Sequence, residues 1–234
     1  MNARMRTLLL CLALGAILAG CASGLQVRDL GSTRIGAEMS VQFVRLESPR
    51  ARQPLLLLHG SGLASGAWET KPDGRPGWQS FFLRAGHDVY IARAEGKSQA
   101  PAQPAYDALV QRVCPCVIIA HGEDAHFAMS AAQAAPERVK ALVALEPSGA
   151  PDPNRFDLPK LRTTPHLFLR GSDLVVPAVN RYRDGLRAAG VPAEELDLPK
   201  PGVRGSSPLL MTDPDADEIA ARIQRWLEEK ELAR

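Results

Sequence analysis

Short apolar runs alternate along this chain with longer segments whose apolar residues recur at helical spacing. Unbroken runs such as Leu55–Leu58 are typical of strands buried on both faces. The pattern predicts strands at Val41–Leu46, Leu55–Leu58, Asp88–Ala92, Val117–Ala120, Ala141–Leu145, His166–Arg170 and Glu194–Leu198. It predicts helices over Trp78–Ala85, Tyr106–Val113, Ser130–Ala135 and Pro177–Ala189, and a terminal helix that begins at Asp213 and Pro214. Alternating strands and helices predict an α/β fold with a mostly parallel sheet covered on both faces.

The proline-rich stretch Pro147–Pro165 follows neither period and predicts a loop. It is long enough for a small lid but too short for a separate cap domain. No internal repeat divides the sequence around it. We therefore expect a single domain over residues 40–234.

The composition excludes several classes of protein. With 45% apolar and 23% charged residues, the chain is neither collagen-like, nor disordered, nor a small disulfide scaffold. Residues 1–20 hold Arg4 and Arg6 but no acid, so without them the 28 basic residues become 26 and equal the 26 acidic ones. A neutral domain without a Lys/Arg cluster predicts no nucleic-acid partner.

The N-terminus predicts export. Met1–Arg6 is basic, and Leu8–Leu18 is an apolar run too short to span a bilayer comfortably. The string Leu18-Ala19-Gly20-Cys21 resembles the lipobox of bacterial lipoproteins. A plain secretory signal and an uncleaved apolar N-terminus are the alternatives.

The lipobox resemblance implies a location. It implies that residues 1–20 are removed, that Cys21 carries the lipid, and that residues 21–39 form a linker. Ala22, rather than Asp, implies sorting to the periplasmic face of the outer membrane of a Gram-negative cell. We therefore expect contact with the membrane through the lipid anchor.

Two cysteines remain outside the signal and the lipobox. Cys114 and Cys116 flank Pro115, and the ring that a disulfide would close there is small and stiff. No further cysteine or suitably spaced histidine completes a zinc site. We expect two unpaired, apolar side chains at the start of a strand, with redox chemistry as the alternative.

Three segments of the chain are informative together. Leu55–Leu58 leads into His59-Gly60-Ser61-Gly62, an H-G-x-G turn whose backbone N–H groups can bind an oxyanion. With the segment Trp68–Trp78 and the stretch Val117–Gly149, this turn resembles the α/β-hydrolase superfamily, and within it a group of small bacterial esterases. The resemblance covers about residues 40–230. It implies an α/β-hydrolase fold without a large cap domain.

The nucleophile position differs from the esterases. Their strand-to-helix elbow reads H-S-x-G-G, whereas this chain reads His121-Gly122-Glu123-Asp124-Ala125. The resemblance thus implies that Gly122 stands at the serine position. Glycine has no nucleophilic atom, so covalent acyl transfer by the usual route is excluded there.

The general base is also replaced. The esterase loop after the last strand reads approximately G-N-T-H-F-L-M, and the corresponding Gly205–Met211 has Pro208 at the histidine position. Proline has no titratable group and cannot accept a proton. His166 is the one histidine beyond Glu146, and it opens a strand, which places it at the wrong edge of a parallel sheet.

The acid and the oxyanion site are altered or ambiguous. Glu146 matches the acid of the esterase group, and Asp173 matches a more widespread superfamily position. Both can equally be ordinary loop carboxylates. Glu123 and Asp124 would repel an oxyanion, and we expect them to cap the helix that follows. His126, in place of a small residue, is expected to crowd the elbow.

These observations predict a membrane-anchored, esterase-like protein that is catalytically inactive and is retained for ligand binding or interaction. We expect a small apolar or ester-like ligand, and no cofactor or metal. The expected pocket residues are His59, Gly60, Ser61, Gly62, Trp68, His121, Glu123 and Glu146, with the loop Gly202–Leu210.

The alternatives come from other classes. A hydrolase with a non-standard site could use Asp124 as a carboxylate nucleophile, or His121, Glu123, Asp124 and His126 as metal ligands. Ser61, Ser206 and Ser207 are hydroxyls without an evident base. A structural envelope lipoprotein that uses its outer surface is a third reading.

Overall fold

The computed structural model describes residues 25–59, 66–94, 103–171, 175–198 and 209–233. The strands are β1 (Val27–Ile35), β2 (Met39–Leu46), β3 (Leu55–His59), β4 (Val89–Ala94), β5 (Cys116–His121), β6 (Val139–Leu145), β7 (His166–Arg170) and β8 (Ala193–Asp197). The helices are α1 (Trp78–Ala85), α2 (Gln103–Val113), α3 (Asp124–Ala134), α4 (Pro177–Ala188) and α5 (Ala216–Glu229). Short 3-10 helices lie at Pro153–Arg155, Leu158–Leu161 and Leu210–Thr212. None of the described helices is long and apolar enough to cross a bilayer.

The strands form one sheet in the order β1-β2-β4-β3-β5-β6-β7-β8. The hairpin β1–β2 is antiparallel and pairs antiparallel with β4, whereas the pairs from β4 to β8 are parallel. Parallel strands end at a common edge, so the carboxyl ends of β3, β5, β6 and β7 lie at one edge of the sheet. Ligand sites of open α/β sheets lie outside this edge.

The unbroken apolar runs are buried on both faces, as predicted. Every residue of β3 and β5 is buried. Leu56 and Leu58 pack into the core beneath α2, α3 and α4, and Leu55 and Leu57 pack into the core beneath α1 and α5. This two-sided burial explains why the runs do not alternate.

The segment before α1 is fixed against the C-terminal helix. The indole Nε1 of Trp78 donates to the carbonyl oxygen of Ala216 at 2.9 Å. The side chain of Lys71 is 2% exposed, and its Nζ lies 2.8 Å from Oδ1 of Asp217. The segment is therefore a packed part of the domain.

The sequence pattern did not predict the first strand, β1. β1 spans Val27–Ile35 and pairs with β2 along its length, so the predicted linker at residues 21–39 contains a strand of the sheet. Its residues alternate between half-buried and exposed, because no helix covers this edge strand fully. An apolar face was therefore not required, and the polar residues around Gly31 gave no strand signal.

The expectation of unpaired cysteines is wrong. Cys114 and Cys116 form a disulfide across the cis Cys114–Pro115 peptide bond. Their Cα atoms are 4.4 Å apart, which is within the range that a disulfide spans, so the short separation in sequence is no bar. The pair lies at the amino edge of the sheet, since Cys116 begins β5 as predicted.

His166 also lies at the amino edge, where it opens β7, and is fully buried. Its Nδ1–H donates to the carbonyl oxygen of Thr164 at 2.8 Å, and the rings of Phe168 and Tyr182 lie beside it. Burial lowers the pKa of His166 from 6.5 to about 4, because the charged imidazolium would lose its hydration.

This burial predicts a stability that falls in acid. Between pH 6.5 and about 4 the unfolded chain binds a proton at His166 that the folded chain does not, so folding weakens as the pH falls. The contribution of this residue over that interval is about 3 kcal/mol. His166→Asn keeps an N–H near Thr164 but cannot titrate, and urea unfolding at pH 4.5 and 7.5 should show a smaller acid loss than in the wild type. His126→Asn, on the half-exposed first turn of α3, keeps His166 and should keep the wild-type loss. An equal acid loss in the His166→Asn variant would contradict the assignment.

Candidate functional site

Two histidines lie side by side at the carboxyl edge. His59 ends β3 and His121 ends β5, and the two residues are direct partners in the parallel register. They are 5% and 8% exposed. The sheet thus brings together two predicted pocket residues that are 62 positions apart in sequence.

The chain turns sharply between β5 and α3 at Gly122, where φ is +62°. The N–H of Gly122 donates to the carbonyl oxygen of Leu145 at 2.9 Å, and its own carbonyl oxygen accepts from the N–H of Ser148 at 3.2 Å. Among the described residues, no heavy atom lies within 4 Å of the position that a Cβ on Gly122 would take. The turn is therefore held by its backbone, and the described residues leave space beside the missing side chain.

The two acids after Gly122 do not cap α3 as expected. Glu123 is exposed at the N-cap position, and its side chain makes no capping hydrogen bond within the described residues. Asp124 is 5% exposed, and its Oδ1 accepts a hydrogen bond from the hydroxyl of Tyr106 at 2.8 Å. The carboxyl of Asp124 is thus bonded to α2, which sequence reasoning could not anticipate.

Burial raises the pKa of Asp124 from 3.8 to about 6, and the nearby charge of Glu123 adds to the rise, while the hydrogen bond from Tyr106 opposes it. Burial and Asp124 together raise the pKa of the Tyr106 hydroxyl above its usual value. The ring of Tyr106 stacks on Phe127 at a centroid distance of 4.7 Å, and Nε2 of Gln103 donates to the carbonyl oxygen of Phe127 at 3.1 Å. These contacts join the first turns of α2 and α3 at the flank of the site.

Glu146 follows β6 in a backbone conformation that is rare outside glycine, with φ of +43°. Its N–H donates to the carbonyl oxygen of Leu169 at 2.9 Å, and its Oε1 accepts from the N–H of Gly171. The carboxylate therefore ties the ends of β6 and β7 together. Non-glycine residues held in such conformations are frequent at functional sites.

Trp68 is placed differently from the prediction. It has no exposed surface, and its ring centroid lies 6.4 Å from that of His59 and 5.6 Å from that of Trp78. It belongs to the core beside His59 and cannot form an open pocket wall. Next to it, Glu69 forms an ion pair with Arg93 of β4.

His126 does not crowd the elbow. The residues of α3 that pack into the core are small or flexible, such as Ala125, Ala128 and Met129, whereas His126 is half-buried. Its Nδ1 lies 3.8 Å from the position of a Cβ on Gly149, in the loop after β6. The helix therefore approaches the sheet closely despite the imidazole.

The metal-site alternative is contradicted. His121, Glu123, Asp124 and His126 are all described, yet no group of three or more His, Cys, Asp or Glu side chains within the described ranges is arranged to hold a metal ion. The hydrogen bond from Tyr106 also occupies one oxygen of the Asp124 carboxyl.

The predicted loop at Pro147–Pro165 contains two of the 3-10 helices and packs onto the domain. Leu158 and Leu161 are buried, and a Cβ on Gly185 of α4 would come within 2.9 Å of Pro153. This stretch is thus a packed connection against α4. It is not a free lid.

Several predicted site residues lie outside the described part of the chain. They are Cys21, Gly60, Ser61, Gly62, Asp173, Ser206, Ser207 and Pro208, with most of the loop Gly202–Leu210. Their roles remain predictions.

The fold is similar to those of solved hydrolases. A bacterial esterase matches with a TM-score of 0.78 and 20% identity, over 90% of this chain and 98% of that one. MGS-M1, an α/β-hydrolase enzyme from a deep-sea metagenome library, matches with a TM-score of 0.62 and 15% identity, over 88% and 99% of the two chains. In sequence, the chain is 21% identical to the probable secreted lipase phiG of a fungus (Fungal sp., strain ATCC 74256), in an alignment that covers 79% of this chain and 84% of the lipase. No protein-family model matches the chain.

Because Asp124 is buried, we predict that removing its charge increases the stability of the protein above pH 6. Between pH 3.8 and about 6 the folded chain holds a proton at Asp124 that the unfolded chain releases, so the contribution of this residue falls as the pH rises. Asp124→Asn keeps an oxygen acceptor for Tyr106 and removes the charge. We expect it to raise the free energy of unfolding by about 2–3 kcal/mol at pH 8 and by little at pH 4.

The control for this measurement is Glu123→Gln, which removes the adjacent exposed charge and should change stability by less than about 0.5 kcal/mol. His166 acts in the opposite direction over nearly the same pH interval, so the quantity to compare is the difference between each variant and the wild type. A difference for Asp124→Asn that is equal at both pH values would contradict the prediction.

Proposed function

We propose that this chain, which has the α/β-hydrolase fold of esterases and lipases, has lost catalysis and binds a small ligand at the carboxyl edge of its sheet. The single observation that carries the proposal is the turn at Gly122. In this fold the nucleophile stands on a strained turn between a strand and a helix. Gly122 occupies the sharp turn between β5 and α3 and has no side chain with which to attack an acyl group.

The positions of the histidines support the same conclusion. The fold supplies its general base from a loop after the last strand, and we assign that position to Pro208, which cannot accept a proton. His166 is buried at the opposite edge of the sheet. The other histidines near the carboxyl edge, His59, His121 and His126, belong to β3, β5 and α3.

Glu146 is the acid that we assign to the former triad. Its carboxylate now contacts the backbone of Gly171, and its backbone is bonded to β7. Glu146 therefore has a structural role, because it links the ends of β6 and β7, and this role does not require a catalytic histidine. Its retention is therefore compatible with an inactive site.

The ligand we propose is small and apolar or ester-like, with a carbonyl oxygen. Two features of an acyl-binding site do not depend on the nucleophile: the space that the described residues leave beside Gly122, and the N-terminus of α3. Asp124 is engaged by Tyr106, which leaves exposed Glu123 as the acid that would oppose an anionic ligand. An uncharged carbonyl compound fits this charge distribution better than a carboxylate. His59, His121 and the sequence motif Gly60-Ser61-Gly62 are the proposed neighbours of the ligand.

We further propose that the protein is exported and held by a lipid on Cys21 at the periplasmic face of the outer membrane. The disulfide between Cys114 and Cys116 supports export, because disulfides persist in oxidising compartments and are rare in the cytosol. A single acyl chain binds membranes reversibly, so lasting attachment requires the multiple chains of a lipoprotein.

A hydrolase that uses Asp124 as its nucleophile is not supported. The carboxyl is buried beneath the contact between α2 and α3 and accepts a hydrogen bond from Tyr106. Burial also raises its pKa to about 6, which weakens it as a carboxylate nucleophile in mild acid.

The purified protein should not hydrolyse p-nitrophenyl acetate or butyrate above the buffer rate, because it lacks both nucleophile and base. Gly122→Ser alone should remain inactive, since Pro208 still supplies no base. The double variant Gly122→Ser with Pro208→His should exceed either single variant by about 10² in rate, the lower range of what general-base catalysis contributes. Release of p-nitrophenol measures each rate.

The matched control for this series is Gly122→Ala with Pro208→His, which introduces the same backbone constraint at residue 122 without a hydroxyl. Ester turnover that follows the wild-type protein through a further purification step would overturn the proposal of inactivity. Robust activity of Gly122→Ser alone would show that another residue serves as the base.

Cys21→Ser should release the protein from membranes, because the serine cannot carry the thioether-linked lipid. Fractionation of cells that express each form measures the membrane-bound share. Cys11→Ser, within the predicted signal, is the control and should remain bound. Unchanged association of the Cys21→Ser protein would contradict the lipobox assignment but would leave the proposal for Gly122 intact.

A further inference from the structure

The amino edge of the sheet, opposite the candidate site, is also where β1 begins. β1 runs antiparallel to β2, and β2 runs antiparallel to β4, so β1 starts at the same edge as the parallel strands. The N–H of Arg50, after β2, donates to the carbonyl oxygen of Gly86, before β4, at 3.0 Å. The N–H of Cys116, which begins β5, donates to the carbonyl oxygen of Arg138, before β6, at 3.1 Å. The loops of this edge therefore adjoin one another.

Basic side chains are concentrated on these loops and on the helix ends beside them. We call seven of them the basic belt: Arg50, Arg52, Arg84, Arg112, Arg138, Lys140 and Arg162. Arg138 and Lys140 are half-buried, and the other five are exposed. With strands about 4.8 Å apart, the edge from β4 to β7 is about 20 Å wide. The sequence shows no basic cluster because the belt residues are spread from position 50 to position 162.

The cations of the belt are not compensated as those near the carboxyl edge are. There, Arg93 pairs with Glu69, and Lys71 pairs with Asp217. Within the described ranges, no belt side chain forms an ion pair. Four of them donate to backbone carbonyl oxygens instead, namely Arg50, Arg138, Lys140 and Arg162. A carbonyl oxygen carries only a partial charge, so the belt remains positive.

The acids at this edge do not neutralise the belt. Four exposed acids lie there outside the ion pairs of the described residues: Glu47, Glu137, Glu229 and Glu231. Glu229 and Glu231 are at the end of α5, on the side of the edge where α5 packs with α1. The seven belt cations outnumber these acids, so the surface has a net positive charge.

The proposed lipid anchor is close in sequence to this surface. Cys21 precedes Val27, the first residue of β1, by six positions. A residue spans at most about 3.5 Å, so a lipid on Cys21 lies within about 20 Å of the start of β1. The anchor therefore keeps the amino edge near the membrane, with the carboxyl edge at the far end of the strands.

We infer that the basic belt lies against anionic phospholipid headgroups of the membrane that holds the anchor. The inference rests on the proposed anchor at Cys21 and is independent of the proposed inactivity. The headgroups complement the charge of the belt, and the short tether brings them within reach. Contact through the belt alone is reversible and weakened by salt, so the lipid holds the protein and the belt orients it. The carboxyl edge then faces the aqueous phase, and a ligand reaches the candidate site from solution.

Fluorescence quenching on vesicles tests this orientation. The lipidated protein is reconstituted into phosphatidylcholine vesicles, with or without phosphatidylglycerol, that contain a lipid with a nitroxide on its headgroup. Gln111→Cys places a fluorophore beside the belt, and Ala37→Cys places one in the exposed turn between β1 and β2, at the opposite edge. With phosphatidylglycerol present, we expect residue 111 to be quenched at least twofold more than residue 37. Sodium chloride at about 0.5 M should remove the difference by screening.

Charge variants show whether the belt causes the orientation. Arg52→Gln, Arg84→Gln and Arg112→Gln combined should abolish the excess quenching at residue 111. Each cation near an anionic surface strengthens the contact about fivefold, so three together contribute about 100-fold. The matched control, which should keep the excess, combines substitutions at three exposed arginines outside the belt: Arg75→Gln, Arg155→Gln and Arg181→Gln. Both triple variants should keep the thermal midpoint of the wild type.

The outcomes separate the belt from the anchor. Equal quenching of the two labels, or stronger quenching at residue 37, would overturn the inference and leave the anchor intact. An excess at residue 111 that the belt variant retains would also overturn it, because the belt would not set the orientation. Failure of the protein to attach to phosphatidylcholine vesicles would refute the anchor at Cys21, and the inference with it.

Discussion

The reversal of the chain at Gly122 is the constraint on which the site depends. β5 is buried along its whole length, and α3 begins within two residues of its end, so the backbone must turn sharply. It does so in the left-handed region, with hydrogen bonds to Leu145 and Ser148 that tie the elbow to the segment after β6. These bonds belong to the backbone and do not require a nucleophilic side chain. The turn can therefore keep its geometry with glycine at residue 122.

The second constraint is that ionisable side chains are buried at both edges of the sheet. Asp124 lies at the carboxyl edge and accepts a hydrogen bond from Tyr106. His166 lies at the amino edge and donates a hydrogen bond to Thr164. In both cases the loss of hydration outweighs the hydrogen bond, so the pKa shifts in the direction that favours the neutral form. It is raised for Asp124 and lowered for His166. A domain with balanced charge can thus contain ionisable groups whose pKa values are strongly shifted.

The candidate site was predictable where a residue's role follows from its place relative to a strand. His59, His121, Gly122 and Glu146 all come directly after or at the end of an apolar run, and the parallel sheet brings such positions to one edge. The partners of those residues were not predictable. Tyr106 and Asp124 are 18 residues apart on different helices, and their contact depends on how α2 packs on α3. For the same reason, the expectation that Asp124 caps its own helix was wrong. Trp68 was expected to line the pocket, but it packs against His59 and Trp78 in the core.

The sequence alone determined the buried central strands, the helices between them and the lack of a hydroxyl at residue 122, because these follow from local periodicity and residue type. It also indicated the α/β-hydrolase fold, which the similarity to a bacterial esterase confirms. Tertiary structure decided the pairing of β1, the disulfide between Cys114 and Cys116, and the adjacent positions of His59 and His121. The strand pairing and the contact between the two histidine positions depend on cross-strand register, and the disulfide depends on the Cα separation that the folded backbone sets. Neither quantity is encoded in the spacing of residues along the chain.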